Sequence, residues 1–301
     1  MPEKKSKKAD FSKDDTRIFE VKPMLPKIPL PRPINPVLPQ HPTTVLILAT
    51  CGQGKTNFLT NLVLRKEMLG GDNPIYEQIK FISPTVLVDQ STQPFLQEEL
   101  EDVVDVFDEP YQVDEVINSF VQHTRENYDI TDPDRQPPRT FILVDDCSGY
   151  LRRNSNTSNL WSRHRHYNAS LFCLNQCIRD LPSTVRKLSK CVFLSRCTSA
   201  MEQKAILEEW ADRCGGEEQM LAMWNKATEE KFSFFYINMT DPPNPRYFKI
   251  GGTTPIQEFV IDHRPEMDGG TGAPDESYLP EDDIDVDELD EMVKQKQNQE
   301  Y

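Results

Sequence analysis

The segment Thr43–Thr56, which reads TTVLILATCGQGKT, constrains the fold more than any other part of the chain. Its apolar, branched first half predicts a buried strand, and its glycine-rich second half predicts a tight loop that opens into a helix. A strand, a glycine loop and a helix in this order form a phosphate-binding loop, whose backbone N–H groups surround phosphate oxygens. We therefore expect an α/β nucleotide-binding protein; an ordinary strand–helix turn is the alternative.

The loop pattern predicts a role for each of its residues. Lys55 is expected to reach the β- and γ-phosphates of ATP, and the Thr56 hydroxyl is expected to ligate Mg²⁺. The match to G-x-x-x-x-G-K-[ST] is imperfect, because Ala49 stands at the first glycine, although Gly52 and Gly54 remain for the turn. The predicted nucleotide-binding residues are Ala49, Thr50, Cys51, Gly52, Gln53, Gly54, Lys55, Thr56 and Asn57.

Composition divides the chain into three predicted regions. Residues 1–42 carry prolines at a three-residue period, which predicts an extended polyproline arm or a plain spacer. Residues 43–261 hold the predicted ATPase domain. Residues 262–301 are acidic and poor in apolar residues, which predicts a disordered tail with a short docking helix at 284–292 as the alternative.

Charge and cysteine usage limit the possible environments. The net charge is -15, which argues against a surface that coats nucleic acid broadly, though a small basic lining inside a ring stays open. The seven cysteines form no CxxC pair, which favours a reduced, intracellular and soluble protein. The apolar runs are too short to span a bilayer, so we expect no membrane partner. The basic N-terminus has no apolar run after it and predicts no secretory signal.

The middle of the chain alternates strand and helix patterns, which predicts a mostly parallel sheet with helices on both faces. The predicted strands are 45–48, 78–82, 103–107, 141–144, 170–174 and 191–194, and the predicted hairpin joins 232–237 to 246–250. The predicted helices are 58–69, 113–121, 200–214 and 217–227. At least one strand separates the loop strand from the strand ending in Asp145, an arrangement typical of the additional-strand (ASCE, RecA-like) class of P-loop ATPases.

Polar residues at two strand ends predict the catalytic groups. Asp145 and Asp146 follow the apolar run FILV; Asp145 is expected to hold Mg²⁺ and Asp146 to orient or deprotonate the attacking water. Gln176 follows the next strand, where it is expected to contact the γ-phosphate or the water. Aspartates that cap a turn and an amide that caps a strand are the alternatives.

Basic residues before and after the Gln176 strand are predicted to cluster around its tip. An arginine supplied by a neighbouring subunit commonly stabilises charge in phosphoryl transfer. Arg186 and Arg165 are the two candidates, and ordinary surface ion pairs are the alternative. Arg152-Arg153 forms a further basic stretch.

Five blocks, ATCGQGKT, FISPT, FILVDD, RHYNASLFCLNQ and LPSTVRK, stand in a characteristic order. In this the chain, over about Thr43 to Ile250, resembles the genome-packaging ATPases of large double-stranded DNA viruses and their satellite viruses, the poxvirus-type branch of the FtsK–HerA superfamily. Two departures stand out: Ala49 in the loop, and Lys187-Leu188 after Arg186, where a polar Asn is expected.

The resemblance implies a homo-oligomeric ring of five or six subunits that hydrolyses ATP and drives double-stranded DNA through its pore into a preformed capsid. The implied partners are DNA and the viral capsid or a portal-like vertex, and Arg152-Arg153 would lie in a loop facing the pore. It also implies residence in the host cytoplasm or a viral factory, or association with the virion. Two alternatives stay open. One is a chromosome- or plasmid-transfer motor of the same superfamily, and the other is a non-hydrolysing capsid-assembly scaffold.

Overall fold

A nine-stranded sheet forms the centre of the computed structural model. Its strands are β1 (Thr44–Leu48), β2 (Gln78–Ile82), β3 (Val104–Phe107), β4 (Thr140–Asp145), β5 (Ala169–Asn175), β6 (Cys191–Leu194), β7 (Ser233–Asn238), β8 (Arg246–Gly251) and β9 (Gln257–Phe259). The strand order is β3-β2-β4-β5-β1-β6-β7-β8-β9. The first six strands in this order are parallel, and β7, β8 and β9 extend the sheet in antiparallel fashion.

The structure describes residues 32–33, 35–59, 61, 75–87, 103–129, 132–151, 155–241 and 244–261, all of which belong to the compact unit Met1–Ile261. Four predictions therefore lie wholly or mostly outside the described residues. They are the proline arm before residue 32, most of the helix predicted at 58–69, the basic pair Arg152-Arg153, and the acidic tail 262–301.

The strand order confirms the predicted fold class. Strand β5 lies between β1 and β4, so the loop strand and the aspartate strand are not neighbours in the sheet. Parallel pairing aligns Leu48 of β1 with Asn175 of β5, and Leu174 of β5 with Asp145 of β4. The carboxyl ends of these three strands consequently meet at one edge, which is where ligands bind in open α/β sheets.

Both faces of the central strands are buried, which explains their nearly continuous apolar sequence. In β1, Leu46 and Leu48 pack in one hydrophobic cluster. The alternate residues Val45 and Ile47 pack in a second cluster on the opposite face. This period of two follows from the pleat of the strand. The sheet therefore separates two hydrophobic cores rather than covering one.

The α-helices of the described residues are α1 (Lys55–Leu59), α2 (Gln112–Asn127), α3 (Ser148–Leu151), α4 (Ser155–Arg163), α5 (Ser183–Leu188), α6 (Ala200–Trp210) and α7 (Glu217–Ala227). Helix α2 presents Val116, Ile117 and Phe120 to the first core, as its sequence period predicts. The short helices α3, α4 and α5 and the edge strand β9 were not predicted, because their few apolar residues carry too little periodicity.

The end of the proline arm packs against the domain. Leu38 is buried in the second core. The carbonyl of Val37 accepts a hydrogen bond from the Tyr236 hydroxyl at 3.0 Å. The His41 ring contacts Ser170 Oγ at 2.8 Å and Asn168 Oδ1 at 2.9 Å. Residues 35–43 thus run along the amino ends of the strands, on the edge opposite the glycine loop.

Candidate nucleotide site

The glycine loop leaves β1 with the geometry its sequence predicts. The N–H of Ala49 donates to the Asn175 carbonyl at 3.1 Å, so this residue continues the β1–β5 pairing. Gly52 and Gly54 have φ angles of 77° and 78°, in the left-handed region that favours glycine. Ala49 does not have a positive φ, so an alanine fits where the motif usually has its first glycine.

Helix α1 begins at Lys55, and the Lys55 ammonium group lies between two carboxylates. Its Nζ is 3.0 Å from Asp145 Oδ1 and also pairs with Asp146 Oδ1. Burial alone would lower the pKa of Lys55, and the two carboxylates outweigh it, so that the pKa is raised above its ordinary value. The lysine is therefore fully charged at neutral pH, although it is buried.

Asp146 connects the end of β4 to the end of β5. Its backbone φ is 51°, a left-handed conformation that Asp tolerates better than most residues. Its Oδ1 accepts a hydrogen bond from Gln176 Nε2 at 3.2 Å. The structure thus brings together Lys55, Asp145, Asp146 and Gln176. The roles predicted for these residues in hydrolysis stay predictions.

The residues predicted to hold Mg²⁺ have the appropriate chemistry. Thr56 follows Lys55 in the first turn of α1, and Asp145 is buried at the end of β4. A hydroxyl and a carboxylate therefore belong to elements at the carboxyl edge of the sheet. Magnesium prefers oxygen ligands and commonly uses one or two protein carboxylates together with substrate phosphates. In the part of the chain that the structure describes, no group of three or more His, Cys, Asp or Glu could hold a metal ion. The donor set fits a magnesium ion that arrives with a triphosphate.

The structure does not bring the predicted basic residues together around the tip of β5. Arg165 belongs to a one-turn 3-10 helix, His164–Tyr167, at the amino end of β5. Arg186 lies on α5, whose last residue, Leu188, accepts the Thr44 hydroxyl at the amino end of β1, and its Nη1 pairs with Glu209 Oε2 at 2.7 Å. The prediction of a cluster around the tip at Gln176 is wrong for Arg165, because the seven residues of β5 lie between Arg165 and Gln176. A role for either arginine in a neighbouring subunit stays a prediction.

The RHYN block before β5 has a structural role. Asn168 adopts the left-handed conformation with a φ of 48°, and its Nδ2 donates to the Pro137 carbonyl at 2.8 Å. The Tyr167 hydroxyl accepts a hydrogen bond from Arg125 Nε at 3.0 Å. Burial lowers the pKa of His164 to about 4, so this histidine is neutral at pH 7. The block positions the amino end of β5 rather than reaching the phosphates.

Sequence reasoning missed the contact between the loop and Phe232. A Cβ placed on Gly54 would lie 2.6 Å from Phe232 Cδ1, so the phenyl ring covers the last loop glycine. Phe232 follows Gly54 by nearly 180 residues, and no local pattern signals such a contact. The only sequence hint is that Phe232 is an aromatic residue at the start of the predicted hairpin strand 232–237.

Comparison with known proteins gives similarity at the level of solved structures. No protein-family model matches the chain, and no curated protein matches it either. The DNA-packaging ATPase B204 from Sulfolobus turreted icosahedral virus is 13% identical, with a TM-score of 0.48 over 69% of this chain and 98% of that one. B204 from Sulfolobus turreted icosahedral virus 2, in complex with ATP-gammaS, is 13% identical, with a TM-score of 0.45 over 68% and 96%.

A third similar structure is the pCW3 conjugation coupling protein TcpA with ATPgS. It is 13% identical, with a TM-score of 0.45 over 67% of this chain and 58% of that chain. The strand order and the geometry of the glycine loop define the fold of this chain. No helix among the described residues is both long and apolar enough to cross a membrane.

Proposed function

We propose that the chain binds ATP at the carboxyl edge of its sheet and hydrolyses it. The observation that carries the proposal is Lys55, a buried cation at the end of a glycine loop that pairs with Asp145 and Asp146. A buried cation that faces an open edge of a parallel sheet is suited to anionic oxygens. A triphosphate offers such oxygens, and the backbone of residues 49–57 offers N–H donors beside them.

Each neighbouring side chain has a place in this chemistry. Thr56 and Asp145 would hold Mg²⁺, which neutralises phosphate charge when it is bound. Asp146 would accept a hydrogen bond or a proton from the attacking water. Gln176, which donates to Asp146 at 3.2 Å, would orient that carboxylate and sense the γ-phosphate. Catalysis of this kind depends on positioning and electrostatic stabilisation more than on covalent chemistry.

We further propose that hydrolysis drives double-stranded DNA, and that the DNA is a viral genome entering a preformed capsid. Support comes from the order of the five sequence blocks and from the strand order of the sheet. The proposal includes a ring of five or six copies, in which Arg186 or Arg165 completes the site of the next subunit. Arg186 pairs with Glu209 in its own chain, so a role in the neighbour requires that this pair opens.

An ATPase assay with and without double-stranded DNA tests the proposal. We expect hydrolysis that DNA stimulates, and that rises per subunit with protein concentration because assembly completes the site. Lys55→Ala should abolish hydrolysis, whereas Lys204→Ala, on an exposed face of α6, should leave it unchanged. Unchanged turnover in Lys55→Ala would reject the assigned site. Hydrolysis that depends on neither DNA nor protein concentration would reject the proposed DNA motor, although the chain would still be an ATPase.

A further inference from the structure

A cavity of about 320 Å³ adjoins the glycine loop on the side away from the aspartates. Gly54 belongs to both the loop and the cavity wall, so a ligand whose phosphates lie on the loop can extend into the cavity without a gap. The other walls come from α1, through Asn57 and Phe58, and from the β7–β8 hairpin, through Phe232 and Thr253. The volume lies at the lower end of the range for small-molecule pockets and suits a nucleoside.

The aromatic wall of this cavity has an unusual backbone. Phe232 has a φ of 65° and is 40% exposed, although a bulky residue at positive φ is an outlier. The Phe232 carbonyl accepts the N–H of Gly252 at 3.2 Å, and a Cβ on Gly251 would lie 2.7 Å from it. The surrounding turn therefore enforces the conformation. Strain of this kind persists where a function uses the resulting side-chain position.

Glu230 braces the same turn from the other side. Its carboxylate accepts Lys249 Nζ at 2.8 Å and Thr254 Oγ1 at 3.1 Å, and it also accepts the backbone N–H of Thr253. The hydrogen bond from Lys249, followed by those from Thr253, lowers the pKa of Glu230 to about 2. The carboxylate therefore stays ionised at all working pH values and fixes the strand β8 end against the Phe232 turn.

The cavity combines a flat aromatic surface with polar groups. The Phe58 ring stacks on Phe234 with centroids 4.1 Å apart, which makes a firm apolar floor. Asn57 Oδ1 accepts from Asn61 Nδ2 at 3.1 Å, which leaves the Asn57 amide N–H₂ for another acceptor. Lys231 Nζ lies 4.7 Å from the centroid of the Phe232 ring. An exposed cation–π contact is weak, so a stacked base can replace it.

We propose that this cavity binds the base and ribose of the nucleotide, and that Phe232 provides the surface on which the base stacks. This inference rests on the proposed function, because the phosphates must lie on the glycine loop for the base to reach the cavity. Asn57 would then offer a hydrogen bond to the edge of the base. Phe232 is thus a binding residue, and its ring does not contact the atoms that react in hydrolysis.

Calorimetric titration with two probes, Mg·ATP and Mg·tripolyphosphate, tests the inference. Tripolyphosphate carries the phosphates without base or ribose, so it measures the loop alone. Phe232→Ala should weaken Mg·ATP binding by roughly tenfold to a hundredfold, as expected for the loss of one base–aromatic stack. It should leave Mg·tripolyphosphate binding unchanged. Phe232→Tyr keeps the ring and should bind both probes like the native chain, and so should Tyr111→Ala, which removes an exposed aromatic side chain on another surface.

The outcomes separate this inference from the proposed function. Equal weakening of both probes in Phe232→Ala would overturn the inference, because the ring would then act only by supporting Gly54. Unchanged Mg·ATP binding in that variant would overturn it as well, while leaving the phosphate site intact. If the native chain binds neither probe, or if Lys55→Ala binds both like the native chain, the proposed function fails, and the inference fails with it.

Discussion

The ion pair between Lys55 and Asp145 is a sharp test of the site, because its strength can be worked out from the structure. The two atoms are 3.0 Å apart, and Asp145 is 2% exposed. At an effective dielectric constant of about 20, Coulomb's law gives a gross attraction of about 5.5 kcal/mol at this distance. Desolvation of both ions offsets part of it. We therefore expect a net coupling of about 2 kcal/mol.

A double-mutant cycle measures this coupling. Lys55→Met and Asp145→Asn remove the charges with little change of shape, and urea unfolding without nucleotide gives the free energy of each variant. Lys55→Met alone should cost about 3 kcal/mol, because it leaves the buried Asp145 carboxylate without its cation. The double variant should be more stable than the sum of the single changes predicts, by about 2 kcal/mol. Additivity within about 0.5 kcal/mol would refute the reasoning.

The exposed pair Lys226–Glu229 provides the matched control. Its N–O distance is also 3.0 Å, but its side chains are 61% and 64% exposed. Solvent screening reduces such pairs to about 0.2–1 kcal/mol, so the same cycle there should give a coupling below about 1 kcal/mol. Saturating Mg·ATP should also reduce the Lys55–Asp145 coupling, since the phosphates then share the ammonium group. A coupling that ignores Mg·ATP would contradict the placement of phosphates beside Lys55.

Three further predictions concern other parts of the molecule. Asp146→Asn should lower turnover by about 10² or more, while the affinity for ATP changes only a few-fold. The asparagine amide keeps the left-handed turn but cannot accept a proton. Single-turnover kinetics measure the rate of hydrolysis separately from ATP binding. Burial lowers the pKa of His41 to about 4, so the free energy of unfolding should fall by up to about 3 kcal/mol as pH drops from 6.5 towards 4. The buried His164 contributes a similar pH dependence of its own. His41→Gln should therefore remove the contribution of His41 and leave that of His164. Leu38→Ala should cost about 2–5 kcal/mol of unfolding free energy, whereas Leu188→Ala, at an exposed position, should cost far less.

The sequence predicts the core of the site because strand direction and pattern are local properties. An apolar run that ends in a polar residue marks the carboxyl end of a buried parallel strand, and such ends share one edge. Asp145 and Gln176 stand at the ends of such runs, and Lys55 follows one across the glycine loop. The structure brings Lys55 to Asp145 and Gln176 to Asp146, as expected. The catalytic roles assigned to these residues stay predictions.

Distance along the sequence does not predict which other residues lie near the site. Arg165 and Gln176 are only eleven positions apart, yet a strand lies between them and carries them to opposite edges. Phe232, by contrast, is distant in sequence and contacts the loop. Sequence proximity fails in the first case because an extended strand advances about 3.3 Å per residue. Sequence distance misleads in the second because antiparallel strands added after β6 bring the chain back to the loop.

Strand β5 explains how the two edges are held in register. At its carboxyl end, the Asn175 carbonyl accepts the Ala49 N–H, and the next residue, Gln176, donates to Asp146. At its amino end, Asn168 binds both His41 and the Pro137 carbonyl. A buried strand does not stretch, so a shift of its amino end along its axis would move Gln176 relative to Asp146. The arm and the glycine-loop edge are therefore linked through hydrogen bonds at the two ends of one strand.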